Sequence, residues 1–353
     1  MIQSLRLQNF RTYKDETYEF SSGISIIVGP NASGKTNLLE AILVFAQGSS
    51  FRARDYDLLA YEAPWARLSG ETETEQRAVV IEKNEAQTTR KRYEINTQKL
   101  SRLPQNRALP VVVFEPQHLQ LLHSGPEKRR DFFDELLERT VVGYGKSLRD
   151  YKRALAQRNK LLKQPRHVSN AEYFVWEVRL GELGGHIAQK RREIIETCNQ
   201  YIDDIYFRLS GNNESVKLEY LSAINIQNYS TQLLRNLEEN RARDKERGFT
   251  ADGPHRDDVL VRLKAKDARI SASRGEIRTL LLALKLLELQ IIEESKEHKP
   301  ILLLDDVFSE LDGSRRQALT QFLSPYQTFI TTTDADVVVQ HFIGSCDIIP
   351  TSK

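Results

Sequence analysis

Apolar and polar positions along the chain change their period twice. SLRLQNF at 4–10 alternates, and ISIIV at 24–28 is a continuous apolar run. RAVVIEKNEAQTTRKRYEIN at 77–96 reads as two strands around a polar turn, and VVVFEP at 111–116 as a buried strand stopped by Pro116. From Lys128 to Lys163 the pattern is helical, with Leu148, Tyr151, Leu155 and Leu162 on one face. After a turn around Pro165, a second run begins at Ala171. It carries Trp176, Leu180, Leu183, Ile187, Ile194, Cys198, Ile202 and Ile205 as a packing stripe. Gly181, Gly184 and Gly185 are expected to interrupt or kink that helix. Two such helices joined by a short break form a short antiparallel helical arm.

Near residue 255 the strand pattern returns. DDVLVRLK at 257–264, ILLLDD at 301–306 and QTFITTTD at 327–334 are strand candidates, and GEIRTLLLALKLLELQIIEESK at 275–296 is a nearly buried helix. The class is α/β: a head of mixed sheet and flanking helices, mainly parallel with an antiparallel portion near the N-terminus, interrupted by an inserted, mostly helical lobe. The expected boundaries are head 1–116, lobe 117–252 and head 253–353.

Composition narrows this picture only slightly. A formal net charge of +2, with 28% charged and 40% hydrophobic residues, is ordinary for a soluble protein and leaves room for a local basic face. Cys198 and Cys346, the two cysteines, have neither metal-ligand spacing nor a disulfide framework. MIQSLRLQNFRTY reads as a strand rather than a signal peptide, and no apolar run reaches the length of a membrane span. A soluble, cytoplasmic protein without a membrane partner is expected.

The chemistry starts at GPNASGKTN, residues 29–37, between the apolar run and LLEAILVFA. Gly29, Gly34, Lys35 and Thr36 fit G-x-x-x-x-G-K-[ST], a phosphate loop whose backbone N–H groups and following helix N-terminus face an anion. Lys35 is expected on the outer phosphates and the Thr36 hydroxyl on Mg²⁺. Pro30, Asn31, Ala32, Ser33 and Asn37 complete the loop. ILLLDD supplies the second half: Asp305 as the Mg²⁺-holding carboxylate and Asp306 to orient or deprotonate the attacking water. Lys35, Asp305 and Asp306 are thus the catalytic candidates, and ATP with Mg²⁺ the cofactor pair. Ser273 and Gly275 open the long helix as either a second anion site or, with Glu276, a capping box.

Basic side chains recur in the lobe: Arg149, Lys152, Arg153, Arg158, Lys160, Lys163 and Arg166; then Lys190, Arg191 and Arg192; then Arg235, Arg241, Arg243, Lys245 and Arg247. Taken together they suggest a DNA-facing surface, with a solvated helix surface as the alternative. In GPHRDD at 253–258, His255 and Arg256 are either a relay or a structural brace.

The order of phosphate loop, Ser273-Arg274-Gly275-Glu276, ILLLDD, SELD at 309–312 and Thr331 to Asp334 resembles the ATP-binding-cassette-type heads of the SMC and Rad50 superfamily. NFRTY, PEKRRDFFD, GPHRDD, RTLLLALKL and LLLDDVFSELD are similar to stretches diagnostic of the RecF family. Arg274 and Glu276 stand where that family commonly has glutamines. The resemblance implies an ATP-dependent homodimer in which Ser273 of one copy meets the nucleotide of the other, with Ser309 and Asp312 near the two-fold axis. It also implies Arg11 (with Arg6) and Thr333 near the nucleotide, Gln117 as a sensor and possible metal contact, and a weak or slow, DNA-modulated ATPase. The implied function is binding of double-stranded and gapped DNA and promotion of RecA loading in recombinational repair, with the RecR and RecO mediators, on the nucleoid. An ATP-dependent protein scaffold without DNA binding is the alternative.

Overall fold

The computed structural model describes residues 1–84, 88–115, 118, 121–164, 168–296, 298–334, 342 and 346–351. The chain divides into two compact units, Met1–His118 with Lys296–Lys353, and Leu119–Ser295. The expected strand stop at Pro116, the sensor Gln117, the turn at Pro165 and the basic Arg166 lie outside the described residues.

The first unit holds two sheets. An antiparallel sheet runs β2 (Tyr13–Glu19), β1 (Ile2–Phe10), β4 (Trp65–Thr72), β5 (Gln76–Lys83), β6 (Thr89–Ile95), β7 (Gln98–Leu100). A parallel sheet runs β14 (Cys346–Pro350), β3 (Ile24–Val28), β13 (Thr328–Thr332), β12 (Ile301–Asp305), β8 (Val111–Phe114). Between the sheets lies α1 (Lys35–Gln47), with Leu38, Leu39, Ile42, Val44 and Phe45 buried against residues of both. This explains why KTNLLEAILVFAQ is apolar nearly all round: a helix covered on two sides has no solvent stripe to keep polar. The continuous apolar strands at 24–28 and 301–305 are covered on both faces for the same reason. Residues Gly313–Leu323 form a further helix of this unit, α9, with Asp312 as its N-cap.

The second unit contains α2 (Pro126–Thr140), α3 (Tyr144–Leu162), α4 (Asn170–Ser210), α5 (Tyr229–Glu239), α6 (Arg241–Arg247), α7 (Ala268–Ser271) and α8 (Arg274–Ser295). It also has a small antiparallel sheet of β9 (Val216–Leu221), β10 (Asp258–Leu263) and β11 (Lys266–Asp267). The first division of the chain falls close to the expected 116/117. The second differs: 253–295 belongs with the lobe, because β10 pairs along β9 and α8 packs on α4. No helix among the described residues is long and apolar enough to cross a membrane.

The glycines of α4 do not interrupt it; the helix continues through them for 41 residues. Their role is close approach. A Cβ at Gly185 would lie 1.9 Å from Ser230 Oγ, and one at Gly184 would lie 2.7 Å from Leu233 Cδ2, so α5 rests almost against the α4 backbone. Gly185→Ala is expected to destabilise this unit by about 1–3 kcal/mol through overpacking. Urea unfolding followed by circular dichroism reads it, and an unchanged midpoint would refute the close-packing role.

GPHRDD is tied into this unit by hydrogen bonds and an ion pair. The Tyr151 hydroxyl and His255 Nδ1 lie 2.8 Å apart, and His255 Nε2 meets the Thr250 carbonyl at 3.1 Å. The Nε2–H donates to that carbonyl, so Nδ1 accepts from Tyr151. Burial, the leading cause, lowers the His255 pKa to about 4. Asp257 accepts from the Tyr220 and Tyr229 hydroxyls, and Asp258 pairs with Arg129 at 2.7 Å.

Candidate nucleotide-binding site

Strand β3 delivers the loop 29–34 to the C-terminal end of the parallel sheet, and α1 starts at Lys35. The turn depends on left-handed backbone at Ala32 (φ 65°) and Gly34 (φ 100°). Gly29 is needed for a different reason. A Cβ there would lie 2.3 Å from Thr351 Oγ1 and 2.5 Å from Ser33 Oγ, side chains that bond each other at 2.8 Å beneath the loop. Tyr13 donates its hydroxyl to the Gly34 carbonyl at 3.0 Å, closing the loop from the side. Pro30, Asn31 and Ala32 face solvent, while Ser33, Gly34 and Lys35 are buried and Thr36 and Asn37 half-buried.

Lys35 Nζ donates to the carbonyls of Gly29 and Pro30 at 2.7 and 2.8 Å, so its ammonium sits inside the curl of the loop. Burial pulls its pKa below the usual value, against the opposing fields of Asp306 and Asp305. Strand β12 brings Asp305 to the same sheet edge. Its Oδ1 accepts from Thr36 Oγ1 at 3.0 Å and from Thr331 Oγ1 at 2.7 Å. The phosphate-loop hydroxyl and the strand-end carboxylate, 269 residues apart, are therefore in contact.

Asp306 breaks from the strand with φ 51°, a conformation few non-glycine residues adopt. Its amide donates to Thr331 Oγ1 at 2.9 Å, and its carbonyl accepts from Ser309 Oγ at 2.7 Å. Its Oδ1 is buried without a hydrogen-bond partner. Such an atom marks a place where a further group belongs. The donors and carboxylates here suit Mg²⁺–ATP. Magnesium keeps most of its coordination from water and phosphate oxygens, so one hydroxyl and one carboxylate are enough protein ligands.

Arg11 is also at this end, in left-handed backbone (φ 52°), but its side chain grips Glu40 of α1 at 2.8 and 3.0 Å. Arg52 reaches the same carboxylate at 3.2 Å and Asn37 Oδ1 at 2.7 Å. Burial pushes the Glu40 carboxyl up, and hydrogen bonds from Arg11, Ser50 and Arg52 overcome this, leaving it below its usual range. Arg6 pairs with Asp15 at 2.7 Å on the exposed β1–β2 ribbon. Thr333 is exposed just beyond β13. Sequence reasoning missed Tyr13, Glu40, Arg52, Thr331 and Thr351, since tyrosines, threonines and lone charges in strands and turns carry no distinguishing signal.

In the second unit, Ser273 and Glu276 form the capping box. The Ser273 N–H donates to the Glu276 carboxylate at 2.7 Å, and the Glu276 N–H to Ser273 Oγ at 3.3 Å. Lys264 adds a bond at 3.1 Å, and these contacts, the Ser273 amide foremost, lower the Glu276 pKa to about 2. Gly275 lies in the first turn of α8. In the first unit Ser309 is exposed, and Asp312 caps α9 by accepting from the Arg315 amide at 3.0 Å.

The basic candidates divide by environment. Arg149 and Lys152 are exposed, and Arg153, 78% exposed, lies 3.5 Å from Asp150. Lys190 and Arg192 each pair at 2.7 Å with a glutamate of their own helix, Glu193 and Glu196. Arg191 is not at the surface: it is 3% exposed, bonded through two nitrogens to Asp134 at 2.8 Å and to the Pro254 carbonyl. Arg158 is fully buried as well. Both are corrections to the expected basic surface, and both have the same cause, a buried carboxylate far away in sequence.

Comparison with known proteins agrees with this architecture. The RecF/RecN/SMC N terminal domain family matches residues 1–343. A DNA replication and repair protein RecF from Heliobacterium modesticaldum is 36% identical over 357 residues, covering 98% of this chain and 96% of the relative. The solved structure of the recombination mediator protein RecF with ATP superimposes with a TM-score of 0.84 at 29% identity, over 99% of this chain and 95% of that one. A second, described as RecF-ATPrS, gives 0.85 over 96% and 94% at the same identity. A phosphate loop and a strand-end Asp pair joined through Thr36, on an α/β head interrupted by helices and matched over nearly the whole length, place this chain in the RecF family of the RecF/RecN/SMC ATPases.

Proposed function

We propose that this chain is an ATP-controlled clamp on duplex DNA beside single-stranded gaps. It acts with the RecR and RecO mediators to promote RecA loading in recombinational repair, in the cytoplasm and on the nucleoid. The observation that carries the ATP half is the contact of Thr36 with Asp305 beside the buried Lys35. The DNA half is supported by family membership, by relatives named for DNA replication and repair, and by the exposed cations of the lobe.

The loop amides of Gly29 and residues 31–36, with Lys35, would bind the phosphates, Thr36 and Asp305 would hold Mg²⁺, and Asp306 would orient the attacking water. The metal supplies charge neutralisation on the phosphate oxygens. Thr331 has two tasks: its hydroxyl donates to Asp305 and accepts from the Asp306 amide, so it sets the spacing of the two carboxylates. Two copies close face to face, each offering Ser273 and Gly275 to the nucleotide of the other, with Ser309 and Asp312 at the seam. Hydrolysis is slow and DNA-modulated.

The test is equilibrium binding of fluorescent gapped duplex DNA at fixed salt with ATP and with ADP. At least about tenfold tighter binding with ATP is expected, because a ligand shifts an equilibrium only by its differential affinity for the two states. Equal affinity in both nucleotides would end the clamp reading. Dimerisation with ATP but no DNA binding would leave a protein scaffold.

A further inference from the structure

The two long arm helices carry their charges in opposite ways. In α3, six basic residues accompany one acidic residue, Asp150; in α4, five accompany seven. The surface cations of α4, exposed or half-buried, are matched within their own helix: Arg179 with Glu182, Lys190 with Glu193, Arg192 with Glu196 and Arg208 with Asp204. On α3, Lys146, Arg149, Lys152 and Lys160 are exposed with no carboxylate within ion-pair distance among the described residues, and Arg153 alone is paired within the helix, with Asp150 at 3.5 Å.

Their positions form a line. At 3.6 residues per turn, Lys146, Arg149, Arg153 and Lys160 fall within about 60° of arc, extending about 21 Å along the axis. The opposite side of the helix carries the buried Tyr144, Tyr151, Ala154, Arg158 and Leu162. Just beyond the end of α3, the stem of Lys163 runs beside Gly248 at the end of α6, next to the exposed Arg247. A helix face kept cationic over four turns, beside a helix, α4, that neutralises its own surface cations locally, maintains an electrostatic self-repulsion that folding alone does not require.

We infer that the outer face of α3, and not α4, is the surface that tracks the phosphate backbone of duplex DNA. This rests on the DNA-binding reading above and specifies its site. Recognition is sequence-independent: point charges spaced along a rod meet a polymer carrying about one charge per 1.7 Å of axis. The α4 cations stay with their glutamates because breaking each pair would leave a carboxylate facing the phosphates.

The test compares the full chain with two variants, with ATP present, on fluorescent gapped duplex DNA from about 50 to 200 mM salt. One variant combines Lys146→Gln, Arg149→Gln, Arg153→Gln and Lys160→Gln. The other combines Arg179→Gln, Lys190→Gln and Arg192→Gln. Circular dichroism and ATP binding report folding, and the single variants Arg149→Gln and Lys160→Gln stand in should the quadruple one fold poorly. The α3 variant is expected to lose about 10²-fold in affinity, with the slope of log affinity against log salt shallower by about three to four, or about one for each single variant. The α4 variant is expected to keep the parental slope. Parental binding with an unchanged α3 variant, or equal losses from both helices, overturns the assignment and leaves the clamp reading standing. Absence of DNA binding by the parent protein overturns both.

Discussion

Asp306→Asn is expected to lower ATP turnover by about 10²- to 10⁴-fold while leaving ATP affinity within a few-fold of the parent. The substitution isolates chemistry from backbone geometry. Asp306 sits at φ 51°, and asparagine is among the side chains that best tolerate left-handed backbone, so the turn after β12 is retained. The amide bond to Thr331 and the Ser309 bond to the 306 carbonyl involve only main-chain atoms of residue 306. What changes is the buried, unpartnered Oδ1 and the negative charge it shares. An asparagine cannot accept a proton from water. Turnover is read under single-turnover conditions and affinity by equilibrium titration with a fluorescent ATP analogue. Turnover within tenfold of the parent would remove Asp306 from the water-activating role. A large loss of affinity would instead assign the residue to binding.

Arg158→Ala is expected to destabilise the second unit by about 3–5 kcal/mol, lowering its melting temperature by on the order of 10 °C. Arg158 is completely buried, yet its guanidinium is fully engaged: it pairs with Glu177 at 3.1 Å and Asp244 at 2.7 Å, and donates to Thr250 Oγ1 at 2.9 Å and the Leu237 carbonyl at 2.8 Å. Arg241 covers Glu177 from the outside at 2.6 Å. The four partners lie on α4, α6, the end of α5 and the loop after α6, so one side chain on α3 fastens four segments. Truncation leaves two buried carboxylates with one cation fewer, which costs far more than the pair contributed. Differential scanning calorimetry reads the effect. A loss below about 1 kcal/mol would mean that water or rearrangement replaces the guanidinium, and the network would not be what fastens α3.

These two residues also show where the sequence was legible. The parallel core, the phosphate loop and the Asp pair are readable because each depends on a short contiguous pattern: an apolar run, glycines at fixed offsets, two carboxylates after LLLL. Arg158 and Arg191 are misread as surface cations because their partners stand on other helices, 19 and 86 residues away for Arg158 and 57 for Arg191, and nothing local distinguishes a buried arginine from an exposed one. The α4 glycines are misread for a related reason. Helix propensity is a local quantity, whereas their placement answers to Ser230 and Leu233 on another helix. Strand β2, YKDETYE, escapes the pattern because it is an edge strand with most of its residues exposed. The second boundary shifts because β10 finds its partner in β9, and pairing of strands distant in sequence is invisible to periodicity. Thr331 and Thr351 stay silent as ordinary threonines at strand ends.

The parallel sheet gathers its strands from both extremes of the polypeptide: β3, which launches the phosphate loop, is flanked by β13 and β14. During synthesis, β3 leaves the ribosome early and has no neighbour until about 300 further residues are made, while the lobe in between has every strand and helix it needs much sooner. Thr351, which lies beneath Gly29, arrives later still. A chain released before these last strands can pack α1 only against the antiparallel sheet, and the strand that launches the phosphate loop lacks both of its neighbours.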